Sequence, residues 1–263
     1  MTSAVINYAA RTPYRPRYFA NDHSRDTVVI NPVVMNLTNG RECVSDLDRQ
    51  GFVLVDHVSA VPDFTDDVTV AKVHPAEIIG LLLAQTGADE VVITSPAILR
   101  YSEKSWLAGR LNNSMPARFA HIDITPQTAA SFAVGSLLAG KSWSRYAHYN
   151  VWRSFSGAPQ DVGLTVCDAQ TVSIDDLIEA DAIFDHPGKP DWGFSGHIVE
   201  HNPNHGWHWF PDMSPHEALI FKTSDSAFGN AVPHVAFDNA LAPLDCHPRA
   251  SIEMRAIAYW YGQ

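Results

Sequence analysis

His121 and Asp123 stand two positions apart in FAHIDITP, just ahead of a Thr-Pro pair that opens an Ala-rich run. On a strand, residues two apart point to the same side, so the imidazole and the carboxylate converge on one point while Ile122 turns into the core. That geometry suits two ligands of one metal ion. A facial set of two His and one carboxylate leaves adjacent coordination positions open, which is what non-haem Fe(II) chemistry with a bound co-substrate and O2 requires. The third ligand has to come from elsewhere in the chain. Of the 13 histidines, the best placed is His234 in AVPHVAFDNA, at the mouth of a strand just after Pro233.

A second group of residues lies further on, in PRASIEMRAIAYW, where Arg249, Ser251, Glu253 and Arg255 share one face of an alternating run. A planar guanidinium with a hydroxyl beside it grips a carboxylate through two parallel charge-assisted bonds and a third donor. The Arg249-x-Ser251 pair is therefore a candidate clamp for the far carboxylate of a dicarboxylic keto acid such as 2-oxoglutarate, with Arg255 as an alternative or additional anchor. Asn150, Trp152 and Arg153 in YNVWRSF are candidates for the mouth of the site, Asn150 as a donor to that carboxylate; the competing reading makes Trp152 core and Arg153 ion-paired. Trp207 and Trp209 in GWHWF share a strand face and are candidates for a substrate wall, although aromatics at period two also fill cores. His197, His201, His205 and His208 sit among Gly, Pro and Asn with no carboxylate pattern, and read as loop residues rather than a second metal site. Lys222 and Asp225 in FKTSDS read as a pair without a catalytic role.

These residues need a scaffold of strands. From residue 143 onward the chain is a succession of short β-rich runs broken by Gly, Pro, Asn and Asp. With EVVITSPAIL and ARFAHID upstream, they supply enough strands for a double-sheet jelly roll. Helices are few. HPAEIIGLLLAQTGADE predicts one with Pro75 near its start and Gly87 at its end, and TPQTAASFAVGSLLAG predicts a second, capped by Thr125 and ended by Gly140. No linker, repeat or low-complexity tract divides the 263 residues, so one domain spanning 1–263 is expected, with residues 1–50 as an N-terminal arm.

Composition narrows the function. A formal net charge of −11, with scattered Lys and Arg, argues against a nucleic-acid backbone or an anionic membrane as partner. No apolar stretch approaches the length of a membrane helix and no secretory pattern opens the chain, which leads to the expectation of a soluble, cytoplasmic protein. The three cysteines have no metal or disulfide spacing. The aromatic YWYGQ ending offers a packing face for a partner subunit, which leaves a homo-oligomer open.

The stretches GFVLVDH, QTGADEVVI, FAHIDITP, YNVWRSFSGAPQDVGLTVCDA, GWHWFPDMSPHEALIFKTSDS, PHVAFDNA and PRASIEMRAIAYW, in this order, resemble the non-haem Fe(II)/2-oxoglutarate-dependent oxygenases grouped with the hydroxylase component of cephalosporin 7α-methoxylase and the fungal gibberellin desaturase. The resemblance implies a mainly β (α+β) fold, the double-stranded β-helix or cupin-like jelly roll with flanking helices. It implies Fe(II) on His121, Asp123 and His234, and 2-oxoglutarate on Arg249 assisted by Ser251 or Arg255. It also implies O2-dependent hydroxylation, desaturation or cyclisation of a small natural-product or amino-acid-derived molecule, with release of succinate and CO2. His74 stands where an aromatic is expected in such proteins. Two rivals share the ligand set: a Zn or Ni jelly-roll enzyme of hydrolysis or isomerisation, and a non-catalytic metal-binding module.

Overall fold

The computed structural model describes residues 2–136, 141–186 and 188–262. In chain order the strands are β1 (Thr2–Ala9), β2 (Arg17–Phe19), β3 (Ile30–Asn39), β4 (Phe52–Asp56), β5 (Glu90–Ile93), β6 (Ile98–Tyr101), β7 (His121–Ile122), β8 (Arg145–Ser154), β9 (Val162–Cys167), β10 (Leu177–Phe184), β11 (Trp192–Val199), β12 (Trp207–Trp209), β13 (Glu217–Asp225), β14 (His234–Asp238) and β15 (Ala250–Trp260). The two α-helices are α1 (Asp67–Thr86) and α2 (Pro126–Ser136). Nine strands form one sheet in the order β1-β3-β12-β9-β14-β7-β11-β10-β2. The other six form a second, β4-β13-β8-β15-β5 with β6 also on β15. Phe52, Trp152, Leu219 and Phe221 of the second sheet meet Val166 of the first in one buried cluster, so the sheets are stacked face to face as a jelly roll.

Strand alternation decides what each face carries. On β8, Tyr149 and Val151 turn outward and pack with Ile78 and Leu82 of α1, together with Met254, Ala256 and Ala258 of β15. Asn150 and Trp152 therefore face the interior between the sheets. Helix α1 buries Val70, His74, Ile78 and Leu82, a stripe at fourfold spacing. It starts earlier than Pro75 predicts. The Asp66 carboxylate accepts from the amides of Val68 and Thr69 and fixes the start, leaving Pro75 inside the helix. Gly87 ends it at φ 63°, a left-handed turn that suits glycine. His74 packs edge-on against the ring of Phe64, taking the place of an aromatic.

Thr125 caps α2 through its hydroxyl on the Thr128 amide, whereas Gly140 lies outside the described residues. The first 50 residues are more than an arm. β1 pairs along its whole length with β3 at one edge of the nine-stranded sheet, and β2 runs parallel to β10 at the other. Tyr259, part of the C-terminal aromatic run, is buried and its hydroxyl donates to the Ala133 carbonyl of α2. No helix among the described residues is long and apolar enough to cross a membrane.

Candidate metal centre and its cavities

Two cross-strand pairs, one from each sheet, build the centre. In the nine-stranded sheet the two-residue strand β7 lies between β11 and β14, and His121 is directly opposite His234. Direct cross-strand partners hold their side chains within contact, and the two imidazole rings lie 4.2 Å apart. Asp123 follows two residues beyond His121. β11 comes close enough to that turn because residue 196 is glycine: a Cβ there would stand 2.6 Å from the Asp123 carbonyl oxygen. In the six-stranded sheet Arg255 is paired with Asn150. These two reach across the interior, Arg255 Nη2 to Asp123 Oδ1 at 2.9 Å and Asn150 Nδ2 to Asp123 Oδ2 at 2.6 Å.

His121, Asp123 and His234 are all buried, and their ligand atoms lie within 4.8 Å of one another, the one such group of three among the described residues. The Nδ1 of His121 is 2.9 Å from the Phe119 carbonyl and that of His234 is 3.2 Å from the Val232 carbonyl. A carbonyl only accepts, so each Nδ1 carries the proton and each Nε2 presents a lone pair. Those Nε2 atoms stand 3.9 and 3.8 Å from the Asp123 oxygens, too far for hydrogen bonds and open enough for an ion bonded at about 2 Å to each.

The electrostatics agree with a ligand set. Burial, with His234 adding to it, pushes the His121 imidazole down to about 3, so the ring is neutral at physiological pH. Burial pushes the Asp123 carboxyl upward, but Arg255, the two imidazoles and Asn150 outweigh it and hold the group well below the usual carboxylate range. The donor set is thus two buried imidazoles and one carboxylate with its orientation fixed by two donors, which fits a divalent ion.

Two cavities that share Arg100, Ala117, His121 and Arg255 in their linings adjoin the centre. A small niche of about 30 Å³ is lined by His121, His234, Trp152, Arg249, Glu253 and Arg255 among others. Arg249 is 2 % exposed. Its Nη1 contacts the carbonyls of Val162 and Gly163, while its Nε is buried without a hydrogen-bond partner. Burial, with Arg118 and Arg100 nearby, pushes this guanidinium down to about 9. A larger cavity of about 310 Å³ meets the centre at His121, Asp123 and Arg255. Its walls come from Tyr18 and Phe19, the loop around Met115 and Phe119, and Phe184 with Phe194.

Several sequence-based candidates have other employment. Arg255 binds Asp123 and Glu253 rather than standing free. Asn150 donates to the Asp123 carboxylate, not into the niche. The Ser251 hydroxyl donates to the Arg100 carbonyl at 3.2 Å, and Ser251 is absent from the described lining of both cavities. Trp152 does line the niche. Arg153 alternates to the outer face of β8 and binds the His57 and Pro215 carbonyls, so it leaves the site. Trp207 lies opposite Cys167 and packs with Trp209, Val235 and Phe237 on the face turned away from His234; neither Trp forms a substrate wall. His205 bonds Asp176 and Tyr8, and Lys222 pairs with Asp225 at 2.6 Å. Tyr18, Phe19 and Arg100 were missed. The one sequence signal for Arg100 is a cation inside the apolar run AILRY.

The chain is similar to fungal enzymes. The hydroxylase/desaturase efuI of Hormonema carpetanum is 29% identical over 255 residues, covering 88% of this chain and 84% of the relative. The Fe(II)/2-oxoglutarate-dependent dioxygenase nvfI of Aspergillus novofumigatus is 26% identical, covering 98% and 86%. The solved structure of the iron and alpha-ketoglutarate-dependent endoperoxidase NvfI superimposes with a TM-score of 0.82 at 22% identity, over 99% of this chain and 98% of the other, which establishes the shared jelly-roll fold. A family model described as YDMC, an oxidoreductase/YMDC permease-like domain, matches residues 6–259, and this chain belongs to that family.

Proposed function

We propose that the protein is an Fe(II)/2-oxoglutarate-dependent oxygenase acting on a small organic molecule, with His121, Asp123 and His234 as iron ligands and Arg249 as the anchor of the co-substrate. The carrying observation is the conjunction of a buried two-His, one-Asp set with a buried arginine in the adjoining niche, whose Nε lacks a partner. A buried cation with unmet donors favours an anion that supplies acceptors. The names of the relatives efuI and nvfI support the same reading.

Each residue has a task. His121 and His234 direct Nε2 lone pairs to one point because their Nδ1 protons are held by main-chain carbonyls. Arg255 and Asn150 hold the Asp123 carboxylate in place for the ion. Arg249 takes the far carboxylate of 2-oxoglutarate, and Trp152 and Leu164 wall the niche. Iron with 2-oxoglutarate and O2 supplies oxidation of an unactivated C–H bond, releasing succinate and CO2. The apolar walls of the larger cavity exclude water and set which C–H bond faces the centre.

The test is an anaerobic titration with Fe(II) and then 2-oxoglutarate, watching for the weak visible charge-transfer band of a keto acid chelated to ferrous iron. The expected result is a band that His234→Ala abolishes and that Arg249→Gln displaces to a 2-oxoglutarate concentration higher by about 10- to 100-fold, the worth of charge-assisted bonds. Metal binding without a band overturns the 2-oxoglutarate reading in favour of a Zn or Ni enzyme.

A further inference from the structure

The charges that line the larger cavity are matched, with one exception. Arg118 binds Glu103 through two bonds of 2.6 and 2.7 Å and also reaches Asp238 at 3.0 Å. Arg255 is held by Asp123 and Glu253. Asp26 accepts from the Phe19 amide at 2.7 Å and stands 3.4 Å from His23. Arg100 has only neutral partners among the described residues: its Nη1 donates to the Asn113 carbonyl, the Asn113 side-chain oxygen and the Met115 carbonyl at 3.3, 3.0 and 2.6 Å. Its Nε and Nη2 have no acceptor among the described residues and are not among the buried orphan atoms, and Arg100 is part of the cavity lining.

Position separates Arg100 from Arg249. Arg249 lines the niche and is absent from the described lining of the larger cavity, whereas Arg100, with His121 and Arg255, borders both. Its strand is fixed: Ser251 Oγ donates to the Arg100 carbonyl, and residues 100 and 251 are cross-strand partners. The guanidinium is therefore presented from a sheet rather than a loop, at the boundary between niche and cavity. Facing it are the apolar surfaces of Phe19, Phe119, Phe184 and Phe194.

Resting on the oxygenase reading, we propose that the larger cavity selects an apolar, ring-bearing substrate with a carboxylate, and that Arg100 is the residue that recognises this carboxylate. A free fork of two N–H donors is matched to two carboxylate oxygens. Anchoring the acid at the edge of the niche orients the ring system along the aromatic walls with one side toward the His121–Asp123 centre. Neutral analogues lose that orientation.

The experiment uses the Fe(II) protein saturated with 2-oxoglutarate under anaerobic conditions, so that Arg249 is occupied. Calorimetric titration compares 2-naphthoate with 2-naphthalenemethanol, which differ in the acid group. The acid is expected to bind about 10- to 100-fold tighter. Arg100→Gln erases that preference while the charge-transfer band and its 2-oxoglutarate requirement stay unchanged, and Arg100→Lys restores part of it. Equal binding of the two probes to the unaltered protein, or a preference that survives Arg100→Gln, overturns the proposal. An elevated 2-oxoglutarate requirement in Arg100→Gln also overturns it, by assigning Arg100 to the co-substrate. The absence of any band in the unaltered protein sinks the oxygenase reading instead. The probe comparison, repeated without metal, still decides the role of Arg100.

Discussion

Two carboxylates lie deep in this molecule under the hold of basic groups, and their surroundings differ in one respect. Asp225 accepts from Lys222 and Arg145 at 2.6 Å each and from the amides of Ala227 and Phe228. Lys222 completes its own set with Asp48 and Asn230. Both carboxylate oxygens there are taken by cations or amides, the Arg145 guanidinium lies over the rings of Phe228 and Trp260, and no described cavity reaches it. Asp123 is also held from two sides, by Arg255 and Asn150, but it faces two imidazole lone pairs that have no donor, and it borders a cavity. Saturated networks hold a fold together, whereas a network short of a cation is a place where something binds. Net burial of charge does not separate the two cases. The count of unmatched acceptors does.

Breaking the open network has the largest expected effect. Asp123→Ala eliminates metal-dependent turnover, while circular dichroism and the thermal transition of the metal-free protein change little, because Arg255 keeps Glu253. Loss of the fold together with the metal would erase the contrast. Lys222→Met makes the opposite cut: it leaves Asp225 one cation short in a closed site and costs about 3 kcal/mol or more in denaturant unfolding, with the charge-transfer band intact in the protein that remains folded. Asn150→Ala is milder. It removes the donor to Asp123 Oδ2 and is expected to weaken Fe(II) binding by about 10- to 100-fold in a competitive chelator titration; unchanged affinity would reduce Asn150 to packing.

Acid titration is the gentlest probe. His148 is buried on β8, and burial pushes its imidazole from 6.5 down to about 4. The unfolded chain takes up this proton first, so stability is full above about pH 6.5 and falls as pH drops toward about 4, by at most about 1.4 kcal/mol per pH unit. His148→Gln removes this residue's share of the slope and leaves the share of His121 and of the other histidines that burial pushes down. The Asp225 carboxyl stays ionised through the same window, since it is held below the usual range; a slope unchanged by His148→Gln would place the titration elsewhere.

Much of the centre is legible in the sequence. HxD on a short strand and a histidine at the mouth of another suffice to single out three residues that the fold does bring together. Period-two alternation also identifies which residues share a face on β8 and β15. It does not say which face is the cavity, because in a double sheet both faces of a central strand are buried: all nine residues of β13 are buried. Trp207 and Trp209 fell on the wrong side for that reason, and the answer lies in their register with β9. Ser251 sits on the expected face but meets β6 before it meets any cavity. The strands β1 and β3 escaped notice because Asn, Thr and Pro interrupt their apolar residues.

The pairing of His121 with His234 has a temporal consequence. The two strands are adjacent in the sheet and distant in the chain, so the contact between them carries a large loop-closure cost and belongs to the slow class of native contacts. A polypeptide still emerging from the ribosome owns His121 and Asp123 long before it owns the strand that completes them, and Arg249 and Arg255 arrive later still. On the oxygenase reading proposed here, the centre is thus completed only by the last third of the chain. Once complete, a bound ion ties the two strands together and raises the free energy of unfolding in proportion to the logarithm of its concentration.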